Sequence, residues 1–140
     1  MNMDAMVINN RAKTSVMAGW DHERANRTTI EEHLRERKAY LNRGYRLSHL
    51  SAELGIPRHI VSKTINREFG MNFNRLINSM RIEHLKKGDM IAKRDLYTLE
   101  AIARSYGFNS RNSFIKSFKL ICGSTPSVYF RLPPSEMHNV

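Results

Sequence analysis

Residues 107–126 read GFNSRNSFIKSFKLICGSTP. Phe108, Phe114 and Phe118 alternate here with Asn109, Ser110, Arg111, Asn112, Ser113, Lys116 and Lys119. Aromatic rings interleaved with bases and amides suit two different structures. One is a stacking platform for single-stranded nucleic acid. The other is a helix with one buried face and one basic face. The choice between them decides the fold, and a second stretch of the same chain makes it.

That second stretch is RLSHLSAELGIPRHIVSKTINREFG, residues 46–70. At an offset of 52, Leu47 falls on Leu99, Leu50 on Ile102, Leu54 on Tyr106, Gly55 on Gly107 and Ile56 on Phe108. One extra residue in the second turn raises the offset to 53. Val61 then falls on Phe114, Lys63 on Lys116, Ile65 on Phe118 and Gly70 on Gly123. The repeated unit is helix, glycine turn, helix, glycine stop, a helix-turn-helix present twice. Ile56, Val61 and Ile65 cannot stack on bases but can fill a core, so the three phenylalanines are expected in a core too. On a helical wheel with Val61 at 0°, Ile65 lies near 40°, and His59, Lys63 and Asn66 fall at about 140–200°. In the second unit Asn112, Lys116 and Lys119 take those places. Each second helix thus has an apolar inner face and a basic, amide-bearing outer face.

Working outward, every further segment reads as helix or connector, so the fold class is all-α. Residues 1–28 show no clean period and read as a flexible or loosely docked segment carrying Met1, Met3, Met6 and Trp20. Thr29, with Glu32 three residues on, has capping-box spacing and opens an N-terminal helix within residues 29–44, closed at Asn42-Arg43-Gly44. Ile30, Leu34 and Leu41 form its apolar stripe. Ser48 is the expected cap of the next helix, and residues 45–72 make the first helix-turn-helix. Gly55 stops one helix, and Pro57 starts the next. A long linker helix covers residues 73–88, with Phe73, Leu76, Ile77, Met80 and Leu85 inward. Residues 89–132 hold a connector, the second helix-turn-helix with Thr98 as a cap, and a short last helix started by Pro126. Residues 133–140 are a tail.

The chain has 140 residues and a formal net charge of +10, and 41% of its residues are hydrophobic. It is long enough to bury a core without disulfides or metals. Residues 1–44 carry 8 basic and 6 acidic side chains, and residues 45–132 carry 15 and 6. The excess therefore sits in the repeated block, as expected for a domain that meets a polyanion. Cys122 is the single cysteine, which excludes an intramolecular disulfide and favours a cytosolic compartment. No run of about 18 apolar residues exists to span a membrane. Six histidines, 22, 33, 49, 59, 84 and 138, show no zinc spacing with the cysteine. Gly-rich phosphate loops and paired catalytic carboxylates are missing, so no enzyme, metal or cofactor is expected.

The block from Leu47 to Leu132 resembles the DNA-binding domain of AraC/XylS-type bacterial transcription regulators. The resemblance rests on Ile102-Ala103, Gly107-Phe108, Phe114, Phe118-Lys119, Gly123, Thr125-Pro126 and Tyr129. The first unit matches more loosely through Leu50, Leu54-Gly55, Val61, Gly70 and Phe73, and Arg81 stands where the family's connecting helix commonly has an arginine. The resemblance implies two helix-turn-helix units joined by one long helix, with both second helices in successive major-groove segments of double-stranded DNA. It implies base reading by His59, Ser62 and Lys63 in the first unit, and by Arg111, Asn112, Ser113 and Lys116 in the second. Arg58, Arg67, Lys119 and the helix N-termini would hold phosphates. It also implies a bacterial, cytoplasmic, nucleoid-associated protein, with RNA polymerase or an upstream sensor domain as further partners. Ser51 and Leu85 depart from the family's usual alanines. Ile115 stands at an outer-edge position, where it either touches a thymine methyl or packs against Leu120. The alternative function is a protein-interaction module whose basic face meets an acidic partner.

Overall fold

Two glycines with left-handed backbone set the plan of the molecule. The structure is a computed structural model that describes residues 25–89 and 96–131. It contains α1 (Arg27–Arg37), a 3₁₀ turn (Ala39–Leu41), α2 (Leu47–Leu54), α3 (Arg58–Phe69), α4 (Phe73–Lys87), α5 (Leu99–Ser105), α6 (Arg111–Cys122) and α7 (Pro126–Tyr129). There is no strand among the described residues. Gly55 ends α2 at φ 68°, and Gly107 follows α5 at φ 96°. The Gly55 N–H donates to the Ala52 carbonyl and the Ile56 N–H to the Ser51 carbonyl. In the second unit the Gly107 N–H donates to Arg104 and the Phe108 N–H to Ala103. These are the same paired bonds of a Schellman turn, made twice, and each drops an apolar side chain (Ile56, Phe108) into a core.

The one-residue change of offset is visible as a longer second turn. Pro57 precedes α3 directly and offers no side-chain cap. Asn109 and Ser110 precede α6, and Ser110 Oγ accepts the Ser113 N–H at 3.1 Å. Thr98 caps α5 as expected, its Oγ1 accepting the Ala101 N–H at 3.0 Å. Pro126 occupies the first turn of α7.

Ile56, Val61 and Ile65 are buried in the first unit, and Phe108, Phe114 and Phe118 at the same repeat positions in the second. None of these phenylalanines exposes more than 2% of its surface. Phe108 and Phe114 lie 5.2 Å apart between centroids, and Phe114 meets Phe118 edge-on at 5.8 Å. Rings enclosed by rings have no free face for a base. Ile115 is buried in the same core, whereas Leu120 is exposed; the thymine-methyl alternative for Ile115 is set aside. Cys122 packs at the edge of this core. Ser51, the repeat partner of Ala103, donates its hydroxyl to the Ile56 carbonyl in its own turn, so the departure from alanine is satisfied locally.

The linker helix α4 serves both units. Asn72 Oδ1 accepts the Arg75 N–H at 2.9 Å and caps it. Its fifteen residues span about 22 Å at 1.5 Å each. Phe73, Leu76, Ile77 and Met80 enter the first core, and Ile82 and Leu85 enter the second. Leu85 is fully buried there.

Three expected boundaries differ. The N-cap of α1 is Asn26, whose Oδ1 accepts the Thr29 N–H at 2.9 Å, so Thr29 lies inside the first turn. α1 stops at Arg37, because Lys38 turns left-handed at φ 50°. Leu41 is therefore in the 3₁₀ turn rather than on the helix, and there it packs against both cores. The α2 cap is Arg46 rather than Ser48, with the Arg46 N–H donating to His49 Nδ1 at 2.9 Å. Ala25 is buried against the first core, so residues 25–28 are docked. Trp20, the early methionines, His22, His138 and the connector residues 90–95 lie outside the described residues. α1 is tied to the first unit by Ile30 and Leu34 in its core and by a carboxylate. Glu53 Oε1 accepts from Tyr45 Oη at 2.8 Å and lies 2.7 Å from His33 Nε2.

Candidate nucleic-acid interface

The second helix of each unit turns one face inward and leaves the other to solvent. On α3, Val61, Thr64 and Ile65 are buried. Arg58, His59, Lys63, Asn66 and Arg67 are exposed, and Ser62 is half-buried. On α6, Phe114, Ile115 and Phe118 are buried. Asn112, Lys116 and Lys119 are exposed, while Arg111 and Ser113 are half-buried. The structure thus brings His59, Ser62 and Lys63 together on α3, and Arg111, Asn112 and Lys116 on α6. The two helices are joined through α4, against which both pack.

The named residues are not equivalent. Ser113 Oγ donates to the Ser110 carbonyl at 3.1 Å and lies 3.3 Å from the Ser110 N–H, so its hydroxyl is engaged in capping α6. Arg67 pairs with Glu68, Nε to Oε2 at 3.4 Å, which reduces the charge it presents. Arg111 Nε is buried without a protein hydrogen-bond partner. Arg58, Lys63, Lys116 and Lys119 make no ion pair with any described carboxylate.

Apart from Glu68 on α3, the paired acidic side chains lie elsewhere. Glu31 pairs with Arg35, and Glu83 pairs with both Arg35 and Lys87, each at 3.2–3.3 Å. Glu100 pairs with Arg104 at 3.2 Å. Burial alone would raise the Glu83 carboxyl, but the hydrogen bonds and charge of Lys87 and Arg35 hold it below the usual range. These pairs sit on α1, α4 and α5, away from the exposed faces of α3 and α6. α6 itself carries no carboxylate. Its outer face is therefore a positive surface with its charge unspent.

Between the units lies a cleft of about 280 Å³ whose walls include Arg43, Asn74, Asn78, Ser113 and Ser117. Arg43, which the sequence marks only as part of a helix stop, lines this cleft beside Asn74, Asn78 and Ser117, which no motif marks. The signal was present: Asn74 and Asn78 are amides one turn apart on a helix otherwise read for its apolar positions. Among the described residues no three His, Cys, Asp or Glu side chains converge as a metal site would require. No helix among them is long and apolar enough to cross a membrane.

Two helix-turn-helix units on a shared linker, each showing a basic second helix, define a tandem helix-turn-helix domain. A family profile described as a helix-turn-helix domain matches residues 50–132, and the chain belongs to that family, in its AraC-type form. A relative, an uncharacterized HTH-type transcriptional regulator of Staphylococcus aureus strain COL, is 38% identical over 87 residues, 59% of this chain. A second Staphylococcus aureus protein of that description is 39% identical over the same length. The chain spans 11% of the length of each. The C-terminal domain of the two-component response regulator yesN from Fusobacterium nucleatum is similar in structure, with a TM-score of 0.58 and 29% identity. That match covers 71% of this chain and 92% of the other. The C-terminal domain of AraT, a response regulator from Geobacillus stearothermophilus, shares the fold at a TM-score of 0.56 and 22% identity, covering 74% and 85%.

Proposed function

We propose that this chain is a transcription regulator that binds double-stranded DNA by sequence, reading two successive major-groove segments with α3 and α6. The observation that carries this is the pair of repeat-related helices whose outer bases, Arg67 apart, are left unneutralised while the other paired carboxylates lie on α1, α2, α4 and α5. An α-helix fits the major groove, and Arg, Lys and Asn match base-edge donors and acceptors there. His59, Ser62 and Lys63 read one segment. Arg111, Asn112 and Lys116 read the other, with Ser113 holding the start of α6 in place. Arg58, Lys119 and, more weakly, Arg67 hold phosphates.

Selection of binding sites from random-sequence duplexes tests the proposal. The expected result is an enriched motif with two halves. Absence of any enrichment would overturn it and favour an acidic protein partner for the same face. RNA polymerase or an upstream sensor domain is proposed as a further partner of this chain.

A further inference from the structure

We infer that Arg81 is a positioning residue: with Gly107 and the turn at Tyr40–Asn42 it fixes α3 and α6 relative to each other, and so sets the base-pair spacing of the DNA site. The inference rests on the two-segment reading above. Arg81 stands where α4 passes from one core to the other, between Met80 in the first and Ile82 in the second. All three of its guanidinium nitrogens are engaged. Nε donates to the Tyr40 carbonyl, Nη2 to the Asn42 carbonyl at 3.0 Å and Nη1 to Asn78 Oδ1 at 2.9 Å. Its Cζ lies over the Phe108 ring, 5.5 Å from the centroid. One buried side chain therefore touches the turn ahead of the first unit, the linker and the glycine turn of the second.

The acceptors are all neutral, and burial pushes the guanidinium down to about 10. Holding a charge there without a counter-ion costs stability, so a net stabilising role does not account for it, and its three directed hydrogen bonds fit a positional one. Gly107 shows how close the two units come. A Cβ on it would lie 2.5 Å from the Tyr40 carbonyl oxygen, 2.7 Å from Arg81 Nε and 3.2 Å from Leu41 C. Gly55, at the same repeat position, has nothing within 4 Å. The closeness is thus a property of the junction and not of the helix-turn-helix itself. Leu41 packs against both cores, and the rings of Tyr40, His84 and Tyr106 follow one another at 5.7 and 5.6 Å. The units are joined laterally as well as along α4, which resists rotation of one against the other.

DNA registers such rotation sharply. One inserted base pair displaces the second segment by about 3.4 Å and turns it by about 35°. A rigid junction cannot follow, whereas a loosened one can trade some preferred-site affinity for tolerance.

The test uses the full chain and a duplex obtained by selection, with a series that inserts or deletes one base pair between the halves. For the wild-type protein a one-base-pair change is expected to weaken binding ~30-fold or more, the scale of losing contacts in one half. Arg81→Lys, which keeps the charge and loses the fork, and Arg81→Met are expected to cut that penalty to ~3-fold. Base preference within each half should be unchanged. Circular dichroism confirms that each variant is folded; if Arg81→Met is not, Arg81→Lys and the wild-type series still decide. A wild-type protein that tolerates the insertion, while base changes in both halves remain costly, overturns this inference and leaves the two-segment reading standing. Folded variants with the wild-type spacing penalty overturn it equally. No enriched duplex at all overturns the two-segment reading and this inference with it.

Discussion

Ser113 and Lys116 lie one helical turn apart on α6 and are expected to fail differently. The Ser113 hydroxyl is bound to Ser110, so Ser113→Ala should cost about 1 kcal/mol of unfolding free energy, the scale of a lost cap. Its base preference should stay as it was. Lys116 is exposed and unpaired among the described residues, so Lys116→Ala should leave stability within about 0.5 kcal/mol. On the selected duplex it should weaken binding by about 1–3 kcal/mol, and far less on random duplex. Urea denaturation and titration of both duplexes separate the two outcomes. The exposed face was legible in the sequence because the wheel positions opposite Val61 and Phe114 follow from helix geometry alone. The engagement of Ser113 was not. Ser-x-x-Ser is a weak version of the capping-box pattern, and Ser113 also matches a base-reading position. Ile115 shows the limit in the other direction: its position on the wheel is peripheral, and only the packing of α6 against α4 and α5 encloses it.

The glycine turns carry the contrast between elements. Gly55→Ala meets empty space and should cost about 1 kcal/mol, the penalty of a left-handed alanine. Gly107→Ala adds a collision with Tyr40 and Arg81 and should cost about 2–4 kcal/mol. Thermal unfolding of both variants checks the ratio. The attachment of α1 makes a second prediction. Burial would raise the Glu53 carboxyl, but hydrogen bonds from His33 and Tyr45 outweigh it and hold it below the usual range. Its contribution is therefore present above the unfolded value of about 4.3 and is lost as pH falls through the lower folded value. Glu53→Gln should flatten the stability curve in that acid window, as read by denaturant midpoints from pH 6 downward. The helix-turn-helix elements were readable because glycine stops and apolar spacing are local signals. The end of α1 was not. Lys38 adopts a conformation that favours glycine, and the turn it opens is held by Arg81, 43 residues on, which takes the Tyr40 and Asn42 carbonyls. The start of α1 was blurred by Asn26, Thr28 and Thr29, any of which can cap.

At the scale of the whole molecule, the net charge of +10 and the free bases on α3 and α6 predict strongly salt-dependent binding. The slope of log affinity against log salt should be about −0.9 for each phosphate neutralised. Arg58→Ala and Lys119→Ala should each make it shallower by about one. A flat dependence in a salt titration would contradict phosphate contact. Composition placed this charge in the repeated block, but the lateral junction at Arg81 and Gly107 had no sequence signature beyond a single arginine at a family position. A final consequence follows from α4, which gives its first half to one core and its second half to the other. Unfolding either unit strips a wall from its neighbour, so the two should melt together although each looks like a module. Calorimetry should show one transition, and the α4 amides around Met80–Ile82 should be among the last to exchange with solvent. A duplicated motif has in this way become a single cooperative unit, and damage to one copy is not confined to it.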